Sequence, residues 1–128
     1  MRMAENDLFP ACEYFGIGVA PFSPLARGVL TGKYDPKKKP PRDSRAGRGD
    51  NSILNRDFRK ETFSIVEKVR KHAAKRGMSP TDFALNWVLN NSLVTSVIAG
   101  PRTLTQWKAY LNALDHEFTA ADEAMVDR

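Results

Sequence analysis

The sequence predicts an α/β protein built from parallel βα units that is incomplete as a domain on its own. Two short apolar runs at residues 17–22 and 94–99 have the composition of buried strands, and amphipathic segments separate and follow them. Strands that alternate with helices are typical of parallel βα units. Two parallel strands alone leave unpaired backbone groups along their edges, which predicts part of a larger sheet or barrel.

Composition restricts the class of protein further. The chain has 128 residues, of which 41% are hydrophobic and 27% charged, as in ordinary globular domains and unlike disordered or collagen-like chains. Its apolar runs are too short to span a bilayer, and its first residues lack the apolar core of a leader peptide. The single cysteine, Cys12, fits a reducing compartment, so we expect a cytoplasmic protein. The formal charge of +5 is compatible with an anionic ligand.

The first elements are a helix, a strand and a turn. Residues 7–14 predict a short helix that Gly16 ends. The nearly all-apolar run at 17–22 predicts a strand that is buried on both faces. A turn opens at Ser23, and a helical turn within 25–34 stays an open alternative because glycine and proline are close by.

A basic loop is predicted over residues 35–57. Its stretch 35–53 holds six basic residues against three acidic ones, with three prolines, two glycines and no helical or strand periodicity. Loops of this length are uncommon in compact domains and are often lids or mobile segments. Two interpretations stay open here, a solvated surface loop and a lid that faces a phosphate group.

Helical signals are stronger after the basic loop. Apolar positions from Phe58 to Ala73 fall on one helix face, and Gly77 ends that helix. Ser79 as N-cap and Pro80 at the first position predict a second helix over 80–90, apolar around most of its circumference. The second strand at 94–99 leads to a capping-box helix that starts after Thr103, and a last short helix opens after residue 119.

No catalytic set is visible in these residues. His72 is interpreted as a packed or boundary residue, and neither His72 nor His116 has a second ligand at the spacing of a zinc site. Cys12 has no neighbour that would activate a thiolate. The chain holds no nucleophile elbow, no Walker phosphate loop and no dinucleotide-binding glycine fingerprint.

Two strand-to-helix junctions do have features that suit an anion. In the first junction, residues 22–34, Ser23 supplies a hydroxyl and Lys33 a mobile ammonium group. In the second junction, residues 100–106, Gly100 allows a tight turn, the new helix presents free backbone N–H groups, and Arg102 adds a planar cation. Consecutive parallel strands would bring the two junctions to one edge, where they would form a phosphate cradle.

Three segments resemble the aldo-keto reductases. Residues 16–34, GIGVAPFSPLARGVLTGKY, resemble their seventh-strand segment, residues 79–89 their seventh helix, and residues 97–107 their eighth strand with the start of its helix. Within the family the resemblance is greatest to bacterial members related to potassium-channel β-subunits. The resemblance implies a (β/α)8 TIM barrel, of which residues 1–128 are the C-terminal portion, with the basic loop 35–57 inside it.

The resemblance also implies a cofactor, NADP(H), and a role for nine residues. Such barrels bind phosphates at the loops after strands seven and eight. Phe22 takes the place of an aromatic residue that stacks on the nicotinamide, and Gln106 lies beside the adenine. Gly100 and Arg102 hold the 2′-phosphate. The pyrophosphate contacts fall to Ser23, Pro24, Leu25, Arg27 and Lys33.

Two departures from the family pattern qualify this prediction. The family often has a Glu-Asn pair where this chain has Ala109 and Tyr110, so the adenine would lose amide contacts, although Tyr110 is able to stack on it. The Asp, Tyr, Lys and His residues that catalyse hydride transfer lie in the first half of the family barrel, and none of their motifs is present. We therefore expect no catalytic residue here and no activity of this chain alone.

The expected partners follow from the same features. They are the nicotinamide cofactor and either the missing barrel half or a second copy of the chain in a homo-oligomer, which would cover the strand edges. The alternative is a non-enzymatic module that binds a nucleotide or another partner through the basic loop. Nucleic acid is not expected, because the loop has no interleaved aromatic residues to stack on bases.

Overall fold

The computed structural model describes residues 2–127 and is mainly helical. These residues form six α-helices and three short 3-10 segments. The 3-10 segments lie at Met3–Glu5, Ala26–Thr31 and Ala113–Asp115. The α-helices are α1 (Leu8–Tyr14), α2 (Asn51–Arg56), α3 (Lys60–Lys75), α4 (Pro80–Leu89), α5 (Leu104–Asn112) and α6 (Ala120–Val126). None of these helices is long and apolar enough to cross a bilayer.

The two predicted strands lie side by side in parallel, but the described residues form no regular β-strand. Two isolated parallel bridges, Val19 to Val94 and Phe22 to Ile98, join the segments. The Thr95 N–H donates to the Val19 carbonyl at 2.9 Å, and the Ile98 N–H donates to the Pro21 carbonyl at 2.9 Å. The parallel pairing is confirmed, and the prediction of regular strands is wrong.

The predicted burial of the first segment, residues 17–22, on both faces is also wrong. Ile17 is 58% exposed, Phe22 76% and Ile98 60%. The physical reason is that each segment pairs with one neighbour only, so nothing within residues 2–127 covers the outer edges and faces.

The helix boundaries confirm most of the capping signals. Ser79 and Asp82 form a capping box at the start of α4. Gly77, with a φ of 70°, follows the end of α3 at Lys75. Thr103 caps α5 by accepting from the Gln106 N–H. The second half of that predicted box is wrong, because the Gln106 side chain accepts from the Arg102 N–H at 2.8 Å instead.

The basic loop is partly structured. Helix α2 occupies Asn51–Arg56 with Asp50 as its N-cap, so the loop prediction is wrong for this stretch. Ile53 is 0% exposed and packs in a cluster with Val29, Tyr34 and Val66. Burial of this one side chain stabilises a helical turn that periodicity over so few residues cannot reveal. The open alternative of a helical turn within 25–34 is confirmed in part, because a short 3-10 segment spans Ala26–Thr31 but is interrupted by non-helical backbone angles at Arg27 and Gly28.

Helix α4 lies at the centre of the molecule. It packs against α3, against α5 and against the Ala26–Thr31 turn. On one side Leu85 and Ala84 cluster with Leu25 of the first junction, and on the other Phe83 clusters with Phe118. Because α4 supports the first junction directly, its packing determines where the junction residues lie.

Candidate functional site

A cavity of about 470 Å³ lies between the first junction, the second junction and the basic loop. This volume is in the range of small-molecule and cofactor sites. The cavity wall contains all nine residues predicted from the sequence: Phe22, Ser23, Pro24, Leu25, Arg27, Lys33, Gly100, Arg102 and Gln106. The structure therefore brings both junctions to one site, as the parallel arrangement requires.

The first junction has a backbone conformation that is unusual for its residues. Ser23, Ala26 and Arg27 have φ values of 58°, 45° and 56°, in the left-handed region that favours glycine. Two hydrogen bonds hold the turn, from the Ala26 N–H to the Ser23 carbonyl at 2.9 Å and from the Gly28 N–H to the Leu25 carbonyl at 2.8 Å. Left-handed non-glycine residues concentrate at functional sites, where surrounding structure holds them in place.

Gly28 allows Lys33 to approach the wall of the cavity. A Cβ atom at Gly28 would lie 2.8 Å from the Lys33 Nζ atom, and the φ of Gly28 is 92°. The ammonium group also lies 5.2 Å from the centre of the Tyr34 ring, at cation–π distance. A larger residue at position 28 would displace the lysine from the wall.

Arg27 contributes a charge that is already paired. Its Nη1 atom donates to Asp57 Oδ2 at 2.7 Å, and the two side chains are 24% and 22% exposed. Since Asp57 closes the end of the basic loop, this ion pair joins the loop to the first junction.

Arg102 contributes a charge without a carboxylate partner. Within residues 2–127 its guanidinium forms no salt bridge, and its Nη2 atom donates to the Asp43 carbonyl at 2.6 Å. A backbone carbonyl is neutral, so the positive charge of Arg102 remains available to an anion. Gly100 lies two residues before Arg102. A Cβ atom added at Gly100 would have no atom within 4 Å, so the space at this position is open.

The cavity wall also contains residues that the sequence analysis missed as site residues, Arg45 and Ser44 of the basic loop above all. Ser44 is buried; its hydroxyl donates to the Pro41 carbonyl at 2.6 Å and accepts from the Gly47 N–H at 3.0 Å. The burial of Ser44 and Ala46 on either side of Arg45 shows that the loop folds back onto the protein, and no signal in the sequence reveals this burial. Tyr110 lines the cavity as well, and burial raises the pKa of its hydroxyl.

The charged side chains described in the cavity wall are all positive. Its wall contains four cations, Arg27, Lys33, Arg45 and Arg102, and no described Asp or Glu side chain lines it. Low-dielectric walls that carry one sign of charge concentrate ligands of the other sign. A cavity of this kind at the ends of parallel segments is the arrangement by which α/β proteins bind phosphate groups.

The comparison with known protein families agrees with an α/β fold. The sequence model of the Aldo/keto reductase family matches residues 1–128. The chain belongs to the aldo/keto reductase family, as the resemblance of its three segments predicted. The members of this family are oxidoreductases with a TIM-barrel fold.

Individual relatives cover the chain but exceed it in length. A probable voltage-gated potassium channel subunit beta of Oryza sativa subsp. japonica is 36% identical over 112 residues, which are 87% of this chain and 34% of the relative. The L-glyceraldehyde 3-phosphate reductase of Escherichia coli K12 is 33% identical over 128 residues, 97% of this chain and 36% of the relative. The chain thus spans about a third of the length of these curated relatives.

A solved structure is also similar to this chain over a part of its own length. The glycerol dehydrogenase of Gluconobacter oxydans is 28% identical and superimposes with a TM-score of 0.78 over 99% of this chain and 38% of that protein. The predicted fold class is confirmed to the extent that this chain has the fold of a portion of an aldo/keto reductase.

Proposed function

We propose that this chain is the NADP(H)-binding, C-terminal part of an aldo/keto reductase barrel. The observation that carries the proposal is the cavity wall, which contains all nine predicted residues and four cations, and which no described Asp or Glu side chain lines. NADP(H) is an extended polyanion, and the cations Arg27, Lys33, Arg45 and Arg102 of this wall suit its negative charge. When bound, the cofactor would supply the hydride for reduction of aldehydes or ketones to alcohols.

The residues would divide the cofactor between the two junctions. Arg102 and the open space at Gly100 would receive the 2′-phosphate, and Gln106 would lie beside the adenine. At the other end, the exposed ring of Phe22 would stack on the nicotinamide. The pyrophosphate would lie between them, along the left-handed turn from Ser23 to Arg27 and near Lys33.

We further propose that reduction requires residues beyond these 128. The catalytic tetrad implied by the family resemblance has no counterpart here, so a carbonyl substrate would find no proton donor of that set. The exposed apolar side chains of Ile17 and Ile98 indicate that a partner covers the open edges, either the rest of a barrel or a second copy of the chain. We expect the chain to work in the cytoplasm, and to associate rather than remain monomeric in a sedimentation experiment at micromolar concentration.

The cofactor proposal is tested by Arg102→Ala. A charge-assisted contact with a phosphate contributes about 1.5–3 kcal/mol, so NADPH binding should weaken by about 10- to 100-fold. NADH lacks the 2′-phosphate, and its binding should change little. Isothermal titration calorimetry of the parent chain and the variant with both cofactors measures the difference. Arg56→Ala, which removes an exposed arginine outside the cavity wall, is the matched control and should leave both affinities unchanged.

The contrary outcomes are distinct. Equal weakening for both cofactors would mean that Arg102 supports the fold of the site instead of binding the 2′-phosphate. An unchanged NADPH affinity would remove Arg102 from the site. Failure of the folded parent chain to bind either cofactor would reject the proposal and favour a partner-binding module that uses the basic loop.

A further inference from the structure

The basic loop contains a run of three lysines, Lys37, Lys38 and Lys39, that takes no part in the cavity wall. All three are exposed. Within residues 2–127 only Lys38 among them forms a salt bridge, with Asp35 at 3.6 Å, and its side chain is 79% exposed. The run therefore presents nearly its full positive charge to solvent.

The chain on both sides of this run reaches the cavity wall. On one side of the run in the chain Lys33 lines the cavity, and on the other side Ser44 and Arg45 line it. Arg102 fastens the returning part of the loop through its hydrogen bond to the Asp43 carbonyl at 2.6 Å. Because each of the three lysines is separated from Lys33 or Ser44 by a few residues only, an extended chain keeps it within about 20 Å of the wall.

We propose that Lys37, Lys38 and Lys39 guide the phosphates of NADP(H) into the cavity and so set the association rate of the cofactor. This inference rests on the proposed function. The lysines act before contact, through the field they add to that of the wall cations, and they do not touch the bound cofactor. Steering of this kind raises association rates by about 10- to 1,000-fold in strongly charged clefts.

The position of the lysines explains why the rate of entry is affected and the rate of escape is not. Exposed ammonium groups act through water, so each contributes little to the stability of a complex whose contacts lie inside the wall. Their combined field still extends about 30 Å at 0.01 M salt and only about 3 Å at 1 M. Association that depends on them must therefore slow as salt is added.

The test compares two variants with equal loss of charge. The first is the triple variant Lys37→Gln, Lys38→Gln, Lys39→Gln. The matched control is Lys68→Gln, Lys71→Gln, Lys75→Gln on α3, which removes three exposed lysines that do not line the cavity. Each variant also loses one salt bridge. Lys38 lies 3.6 Å from Asp35, and Lys71 lies 3.7 Å from Glu67.

Stopped-flow measurement of NADPH fluorescence gives both rate constants for the parent chain and the two variants. At about 10 mM salt the first variant should associate about three- to ten-fold more slowly than the parent, and the control should stay within about two-fold. The dissociation rate should be the same in all three proteins. At about 1 M salt the three association rates should converge.

Each other result contradicts the inference. An unchanged association rate in the first variant, or equal slowing in the control, would overturn it while leaving the proposed function intact. Faster dissociation with unchanged association would mean that the lysines contact the bound cofactor. Loss of binding to a duplex DNA probe, with NADPH association unchanged, would assign the run to nucleic acid. No NADPH binding by the parent chain would overturn both proposals.

Discussion

The cavity differs in its charge pairing from the contact between α3 and α6, which is called the seam and is formed by His72, Arg76, Thr119 and Asp122. At the seam the carboxylate of Asp122 is 0% exposed and accepts hydrogen bonds from His72 Nε2 at 2.6 Å and from the backbone N–H and hydroxyl of Thr119 at 2.8 Å. The Arg76 Nε atom lies 3.3 Å from the same carboxylate. At the cavity four cations line one wall, and no described carboxylate joins them there.

The difference separates a stabilising charge from a charge that is available to a ligand. A buried ion is tolerated only when donors satisfy its lone pairs, and Asp122 meets that condition. Burial raises the pKa of Asp122, but the hydrogen bonds from His72 and Thr119 and the charge of Arg76 outweigh it and lower the pKa to about 2. Within the described part of the chain, Lys33, Arg45 and Arg102 form no salt bridge with a carboxylate, which preserves their attraction for an anion.

The largest expected effect is at the seam. Asp122→Ala removes a buried carboxylate and leaves His72 and Arg76 without their partner, so the free energy of unfolding should fall by about 3–5 kcal/mol. Urea denaturation followed by circular dichroism measures it. Asp127→Ala removes an exposed acid that pairs with Arg2 at the end of the same helix and should cost less than about 1 kcal/mol. Similar losses in the two variants would show that burial of Asp122 contributes nothing special.

Acid should weaken the seam. Because the pKa of Asp122 is lowered from 3.8 to about 2, the unfolded chain binds the proton more tightly than the folded chain. The stabilisation is therefore complete above about pH 4 and is lost as the pH falls toward 2, by about 2 kcal/mol in all. Denaturation midpoints between pH 5 and pH 2 test this. Asp122→Asn should remove that part of the pH dependence, and a profile identical to that of the parent would contradict the assignment.

The smallest effect distinguishes the cations within the cavity wall. Arg27 is the cation paired with a carboxylate, so Arg27→Ala should lower the free energy of unfolding by about 1–2 kcal/mol. Arg45→Ala, in the same wall but without a salt bridge, should change it by less than about 0.5 kcal/mol. A double-mutant cycle of Arg27→Ala with Asp57→Ala should give a coupling energy above about 0.5 kcal/mol. Additive losses would mean that the pair does not stabilise the fold.

Local signals in the sequence were sufficient for much of this structure. The N-caps Ser79, Thr103 and Thr119 and the breaker Gly77 determine where helices begin and end, because capping depends on residues within one turn. The three segments that resemble aldo-keto reductases identified the family. The nine residues chosen from those segments all lie in the cavity wall.

Long-range packing decided what the local signals could not. Helix α2 depends on Ile53 reaching the cluster with Val66, and the strand-like segments stay short because nothing within residues 2–127 pairs with their outer edges. His72 was predicted as a packed or boundary residue and is partly buried, but its bond to Asp122, a residue 50 positions away, was not foreseen.

The sequence by itself therefore determined where the capped helices α4, α5 and α6 begin, the family and the junction residues. The tertiary structure alone decided which charges are neutralised. Asp122 and Arg27 have internal partners because folding brings distant groups within hydrogen-bond distance of them. Among residues 2–127 the guanidinium of Arg102 donates to a backbone carbonyl and pairs with no carboxylate. Charge–charge energies depend on separation and burial, and neither quantity is contained in the order of residues along the chain.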